Sequence, residues 1–433
     1  METILEVTLW GNKVGVLAWD KSADLGIFEF YDTFQSLGLD IAPLTMPIDA
    51  IRRGDRIFSF PEHHGKTFKG LPGMLADSLP DDYGNAIIDE YFTSKGISSV
   101  EVTPVDRLCY IGSRAMGALE FQPARHDISL NTSSVIELDH LTALAIEILN
   151  EREKFQASLK RNDQPVIDIL KVGTSAGGAK AKAIIAWNEK TNEVRSGQVR
   201  APESFTYWLL KFDGVEDEKL NDNPLGIGKI EYAYHRMALD CGIKMTDCRI
   251  LRDGEYAHFM TKRFDRRDDG AKLHTQTLCA MAHFNRDDRY AYEQAFQVMR
   301  RLHLPESDME QLYRRMVFNV VARNHDDHTK NHAFLMRETG EWELAPAYDL
   351  TYAYSASGKW TNEHQLSVNN KRDDFEYSDL LAVSRNMGIR SASEIIDQVI
   401  EIVSKWVEYA QDAEVRKEHV HQIAKTLRLL KIN

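Results

Sequence analysis

A polar run, Asn324-His325-Asp326-Asp327-His328-Thr329-Lys330-Asn331, follows a segment in which Leu312, Met316, Val317, Val320 and Val321 recur at helical spacing. That pattern predicts a packed helix ending close to Arg323, which delivers a loop of chemically active side chains to one place. Ser307 and Glu310 have the spacing of a capping box at the start of this helix. Downstream, the apolar stretches 332–336 and 342–345 flank Glu338-Thr339-Gly340, a strand-turn-strand pattern, and Pro346 then precedes Tyr348-Asp349-Leu350. A hairpin there returns Asp349 to the side of the polar loop.

Phosphoryl transfer asks little covalent chemistry of a protein. It needs magnesium bridging the phosphates, a carboxylate to orient the attacking hydroxyl, and positive charge. In protein kinases the catalytic aspartate is followed at the fifth position by a metal-binding asparagine, and later by a second metal-binding aspartate. Asp326, Asn331 and Asp349 stand in that order. Magnesium takes hard oxygen ligands and keeps several waters, so Asn331 and Asp349, completed by ATP phosphates, suffice as its site. Asp326 is the expected catalytic carboxylate, and Lys330 a second catalytic candidate that neutralises charge on the transferred phosphate. Two other readings of the window stand beside this one. Asp326, Asp327 and His328 suit a solvated turn with capping side chains, and His325, His328 and His332 are donors for zinc.

The nucleotide side is expected earlier in the chain. Gly173-Thr174-Ser175-Ala176-Gly177-Gly178 is a small-residue loop whose amides can approach phosphates, with Lys180 and Lys182 adding charge. It matches neither the Walker pattern nor the glycine loop of eukaryotic kinases. Lys211 lies among apolar neighbours in the strand-like stretch 207–212, and Glu231 near the start of the next helix. A strand lysine that grips phosphates and is held by a helix glutamate is the kinase arrangement, and this order permits it.

With 433 residues, 43% of them hydrophobic, the chain can build two or three cores. Strand patterns dominate the start, where residues 4–10 and 14–18 flank a turn at Gly11-Asn12. A polar stretch at 131–134 suggests a boundary near 125, short strands around one helix fill about 165–265, and helical spacing prevails beyond Arg266. We therefore expect an α+β, two-lobed kinase-like fold. Residues 1–125 form an extra strand-rich N-terminal subdomain, 126–266 a mixed α/β upper lobe, and 267–433 a mainly helical catalytic C-terminal lobe. A net charge of -13 argues against direct binding of the whole surface to nucleic acid. Cys109, Cys241, Cys248 and Cys279 show no close pairing and suit buried thiols in a reducing compartment. No apolar run has the length of a membrane span, so a cytoplasmic protein without membrane partners is expected.

At these residues the chain resembles the HipA family of bacterial type II toxin-antitoxin serine/threonine kinases. Residues 68–81, from Phe68-Lys69-Gly70-Leu71-Pro72-Gly73 to Leu79-Pro80-Asp81, are similar to that family's N-terminal module, as is Met116-Gly117-Ala118-Leu119-Glu120-Phe121. Ser175-Ala176-Gly177-Gly178-Ala179-Lys180-Ala181-Lys182 resembles its phosphate-side loop, and Arg263-Phe264-Asp265-Arg266 the strand leaving its upper lobe. Residues 324–331 and 345–350 resemble its catalytic and metal segments. The resemblance implies ATP and magnesium as requirements, with Ser175, Gly177, Gly178, Lys182, Lys211, Glu231 and Phe264 on the nucleotide side. It implies phosphorylation of a serine on an aminoacyl-tRNA synthetase, typically the glutamyl enzyme, and autophosphorylation of Ser175 as an off-switch. It also implies a HipB-like helix-turn-helix antitoxin that carries the protein to operator DNA. Ala181 stands where many members have proline, and Asp327 where some have glycine. A non-catalytic nucleotide-binding partner or corepressor of such an antitoxin is the alternative, and a small-molecule kinase a third reading.

Overall fold

The computed structural model describes residues 4–124, 128–150, 164–173, 181–215 and 225–431. Two compact units divide the chain. The first is Met1–Leu225, Leu251–Thr275 and Met336–Glu341, and the second Gly226–Ile250, Gln276–Leu335 and Trp342–Asn433.

In the first unit, strands β1 (Ile4–Leu9), β2 (Asn12–Asp20), β3 (Leu25–Phe30), β4 (Ile57–Phe58) and β5 (Leu119–Gln122) form a sheet in the order β4-β3-β2-β1-β5. Alternation puts Leu5, Val7 and Leu9 into the core. The β1–β2 turn falls on Trp10 and Gly11, one residue earlier than the expected Gly11-Asn12, because Asn12 already pairs with Leu9. Both turn residues take positive φ, 49° and 77°, as a two-residue hairpin turn requires. The Trp10 indole, carried into this unusual conformation, donates to the Lys272 carbonyl at 2.8 Å.

A second sheet has the order β7-β6-β8-β10-β9, from β6 (Lys182–Asn188), β7 (Glu193–Ser196), β8 (Thr206–Lys211), β9 (Cys248–Asp253) and β10 (Tyr256–Lys262). Every residue of β6 except the last is buried, which explains its apolar run Ala183-Ile184-Ile185-Ala186. A buried charge cluster joins this sheet to the first. Asp265 accepts from Arg263 at 2.8 and 2.7 Å, from Arg266 at 2.9 Å and from the Gly117 amide at 2.7 Å. Arg266 in turn donates to the carbonyls of Gly117 and Ala115, both at 2.8 Å. Two motifs far apart in sequence, 116–121 and 263–266, are thus halves of one internal network.

The second unit is mainly helical. Its long helix, Glu306–Val321, buries Leu312, Met316, Val317, Val320 and Val321 as their spacing predicts. The expected capping box does not form: Pro305 is the N-cap, without a side-chain cap. Glu310 instead accepts from Ser391 at 2.6 Å, and Asp308 in the first turn takes the Leu344 amide at 2.9 Å. The helix Ile227–Asp240 ends at Cys241, and Gly242 follows with φ 75°. Tyr234 in that helix donates to the Ala322 carbonyl at 2.6 Å, tying it to the end of the long helix. All four cysteines are free and buried. Among the described residues no helix is long and apolar enough to cross a membrane.

Candidate active site

The long helix ends at Val321, and Arg323 turns the chain with φ 59°. The polar loop then runs beside the segment after Asp349: the Ala353 amide donates to the Arg323 carbonyl at 3.1 Å, and the His325 amide to the Ala353 carbonyl at 3.2 Å. A short 3-10 turn, Thr329–Asn331, closes the loop, with His328 as its cap accepting the Lys330 amide at 3.2 Å. The strand Ala333–Met336 follows, and past the turn the Ala345 amide donates back to the Ala333 carbonyl at 3.0 Å. The chain then reaches Tyr348, whose hydroxyl donates to the Lys330 carbonyl at 2.6 Å.

That bond ties together the two chain segments that carry these expected residues, since Asp349 follows Tyr348 and Asn331 follows Lys330. Asn331 Nδ2 donates to the Asp326 carbonyl at 2.7 Å, so of the two amide atoms Oδ1 is the one with the chemistry to take a cation. A carboxylate and an amide oxygen are hard donors, and magnesium needs few protein ligands beside water and phosphate, so this pair fits that ion. Among the described residues no three His, Cys, Asp or Glu side chains gather into a closed ligand set. Asp349 takes φ 57°, an uncommon conformation for a non-glycine residue.

The two adjacent aspartates have opposite environments. Asp326 keeps 42% of its side chain exposed, with His328 Nε2 at 3.8 Å. Asp327 is fully buried, contrary to the solvated-turn reading, and bonds Tyr292 and His364. Burial opposes its charge, but His364, Tyr292 and the Gln365 amide hold its carboxyl below the usual range. Burial also pushes His325 and His328 down to about 3 and His332 to about 4, so these rings are neutral. Their surroundings differ: His325 lies against His364 with centroids 4.1 Å apart, and His332 meets Tyr292 edge-on at 5.6 Å. The Lys330 side chain is half-buried beside the Asn331 position.

On the other unit, Lys182 and Lys211 are direct cross-strand partners and therefore share one face of the sheet. Lys182 is buried and paired at 3.0 Å with Asp81, which also caps the helix Asp82–Ser94 by accepting the Gly84 amide at 2.7 Å. Burial raises the Asp81 pKa even beside this lysine. Lys211 Nζ sits 5.7 Å from the Phe259 ring centroid. Phe264 is half-buried between the buried Arg263 and Asp265. Glu231 is buried in the helix Ile227–Asp240 of the second unit. Ser175, Gly177 and Gly178 lie outside the described residues, although Gly173 just before them bonds the Ile169 carbonyl at 2.8 Å.

Sequence reasoning missed the carboxylate roles of Asp81 and Asp327. The motif around each one gives no sign of its pairing, because the partners lie at Lys182 and at His364.

Comparison with known proteins bears on the family and the fold. Residues 5–122 match the HipA N-terminal domain and residues 174–407 the HipA-like C-terminal domain. The serine/threonine-protein kinase toxin HipA of Shewanella oneidensis is 21% identical over 373 residues, covering 80% of this chain and 74% of its own. A solved complex of HipA, HipB and operator DNA from the toxin-antitoxin system of that organism contains a chain of similar fold. The TM-score is 0.65 at 18% identity, covering 97% of this chain and 94% of that one. With an α+β, kinase-like fold and both characteristic domains in order, this chain belongs to the HipA family.

Proposed function

We propose that the chain is an ATP- and magnesium-dependent serine/threonine protein kinase and the toxin of a HipA/HipB-like pair. The observation that supports this reading is the Tyr348–Lys330 bond, which ties the segment that carries Asp349 to the segment that carries Asn331, itself bonded to the backbone of Asp326. Asn331 Oδ1 and Asp349 would hold magnesium, which would supply charge neutralisation for the phosphates. Asp326, the exposed carboxylate, accepts the proton of a serine hydroxyl as that oxygen bonds to the γ-phosphorus; the bond to the bridging oxygen breaks and ADP leaves. Lys330 adds positive charge at the transferred group. Lys211, with Lys182 on the same sheet face, serves the nucleotide phosphates, and Glu231, Phe264, Gly177 and Gly178 complete the ATP side in this reading.

The named relative is a kinase toxin, and the similar solved structure holds an antitoxin and operator DNA. By the same likeness, a HipB-like antitoxin is the proposed partner, and DNA is engaged mainly through it, in keeping with a net charge of -13. The proposed target is an aminoacyl-tRNA synthetase, the glutamyl enzyme first, and Ser175 is the proposed autophosphorylation site. Incubating the full chain with γ-labelled ATP and magnesium tests this: label should appear on Ser175 and on added synthetase, and Asp326→Asn should abolish both. An unlabelled wild type, together with Asp349→Ala binding ATP as tightly as wild type, sinks the reading.

A further inference from the structure

The Asp327 carboxylate accepts hydrogen bonds at both oxygens. Oδ2 takes the Tyr292 hydroxyl at 2.9 Å and His364 Nδ1 at 2.8 Å, while Oδ1 takes the Gln365 amide at 2.7 Å and the Leu366 amide at 3.4 Å. A carboxylate has about four lone-pair sites, so this one has no capacity left for a substrate. It is also wholly shielded from solvent. Any part of Asp327 in the chemistry therefore runs through its neighbours.

Each donor is itself held. Asn319, in the long helix, donates to the Tyr292 hydroxyl at 2.9 Å, and Asn324, the first residue of the polar loop, donates to Asn319 Oδ1 at 2.9 Å. Leu366 pairs with Tyr290 and Ser367 with Ala291 in a short parallel ladder. Arg372 spans that ladder, donating to the His364 carbonyl at 2.9 Å and to the Tyr290 carbonyl at 3.2 Å. The loop is thus fastened to two separate supports, a helix and a ladder, and the fastening point is the residue peptide-bonded to Asp326. The carbonyl of the peptide joining Asp326 to Asp327 is itself held by the Asn331 amide.

We propose that Asp327 is the positioning residue of the phosphoryl-transfer site: its buried carboxylate fixes the backbone that carries Asp326, so that the exposed carboxylate meets the attacking hydroxyl in one geometry. This rests on the kinase reading above. Misplacement of a reacting group by about 1 Å costs on the order of a hundredfold in rate.

The test uses the full chain and two substitutions, Asp327→Asn and Tyr292→Phe. Turnover with labelled ATP and the half-saturating ATP concentration are measured separately, well below each variant's thermal midpoint. Asp327→Asn should lower turnover by about tenfold or more with half-saturating ATP unchanged, and Tyr292→Phe should lower it less, in the same direction. Wild-type turnover in folded Asp327→Asn overturns the role, as does a loss that merely follows the unfolded fraction. Should Asp327→Asn fail to fold, Tyr292→Phe decides, and unchanged turnover there overturns the role. An inactive wild type takes down the kinase reading and this role together, whereas active variants beside an active wild type remove the role alone.

Discussion

The hydroxyl of Tyr348 donates to the carbonyl of Lys330 at 2.6 Å, joining the two segments that supply the expected metal ligands. Tyr348→Phe removes this bond and keeps the ring. A partly buried hydrogen bond of this kind is worth about 1 kcal/mol net, so urea unfolding should show a loss of that size. The sharper effect should be on magnesium, with the half-saturating concentration for phosphoryl transfer rising several-fold. A variant with wild-type magnesium dependence would show that Asp349 is placed by something else.

Lys182 and Lys211 face the same way across β6 and β8 but should respond differently to loss of charge. Lys182→Met leaves Asp81 buried without its cation, which costs about 3 kcal/mol; protonation of Asp81, whose pKa burial already raises, softens the loss. Lys211, half-buried on that sheet face, is the lysine proposed for the nucleotide phosphates, so Lys211→Met should act first on ATP binding. Nucleotide titration beside a melting curve separates the two, and the opposite pattern would reverse the assignment.

Asp265→Asn should destabilise the chain by about 3 kcal/mol or more, because Arg263 and Arg266 remain buried with one carboxylate charge removed from between them. The wild-type carboxyl is buried, which opposes its charge, yet the two guanidinium groups outweigh this and hold its pKa well below the usual value. A depressed folded-state pKa contributes stability in full above the unfolded value of about 4, and that stability is lost as pH falls below it. Asp265→Asn should therefore flatten the steep acid limb of a denaturation profile, and an unchanged limb would count against the cluster.

His274 and His235 are buried, and burial lowers both to about 4. Unfolded imidazoles take up protons near pH 6.5, so their contribution is complete above that pH and drains away as pH falls toward 4. His274→Gln should be relatively less sensitive than wild type between pH 6.5 and 5 in chemical unfolding. Parallel pH dependences for the two proteins would contradict a neutral buried ring.

What could be read from the chain alone was whatever depends on short spacing. The apolar face of the long helix and the hairpin after Asn331 follow from periodicity over a few residues, and the structure has both of them. The start of the same helix was misread because Ser307 and Glu310 have capping spacing, while the competing partner, Ser391, lies far along the chain. Asp327 looked like a turn residue for the same reason: His364 and Gln365, which make it a buried anchor, carry no local sign of their task. Asp81 and Lys182 each belonged to a recognisable motif, but only folding reveals that one neutralises the other.

The cluster around Asp265 bears on how the chain can be cut. Residues 5–122 match a domain by sequence, yet the Gly117 amide and the Ala115 and Gly117 carbonyls bond to Asp265 and Arg266. During synthesis the first segment emerges well before those partners exist, and it must wait for them with internal polar groups unpaired. A fragment ending near residue 122 is therefore a sequence unit without being a folding unit, and exchanging it between relatives would succeed only with the 263–266 segment carried along.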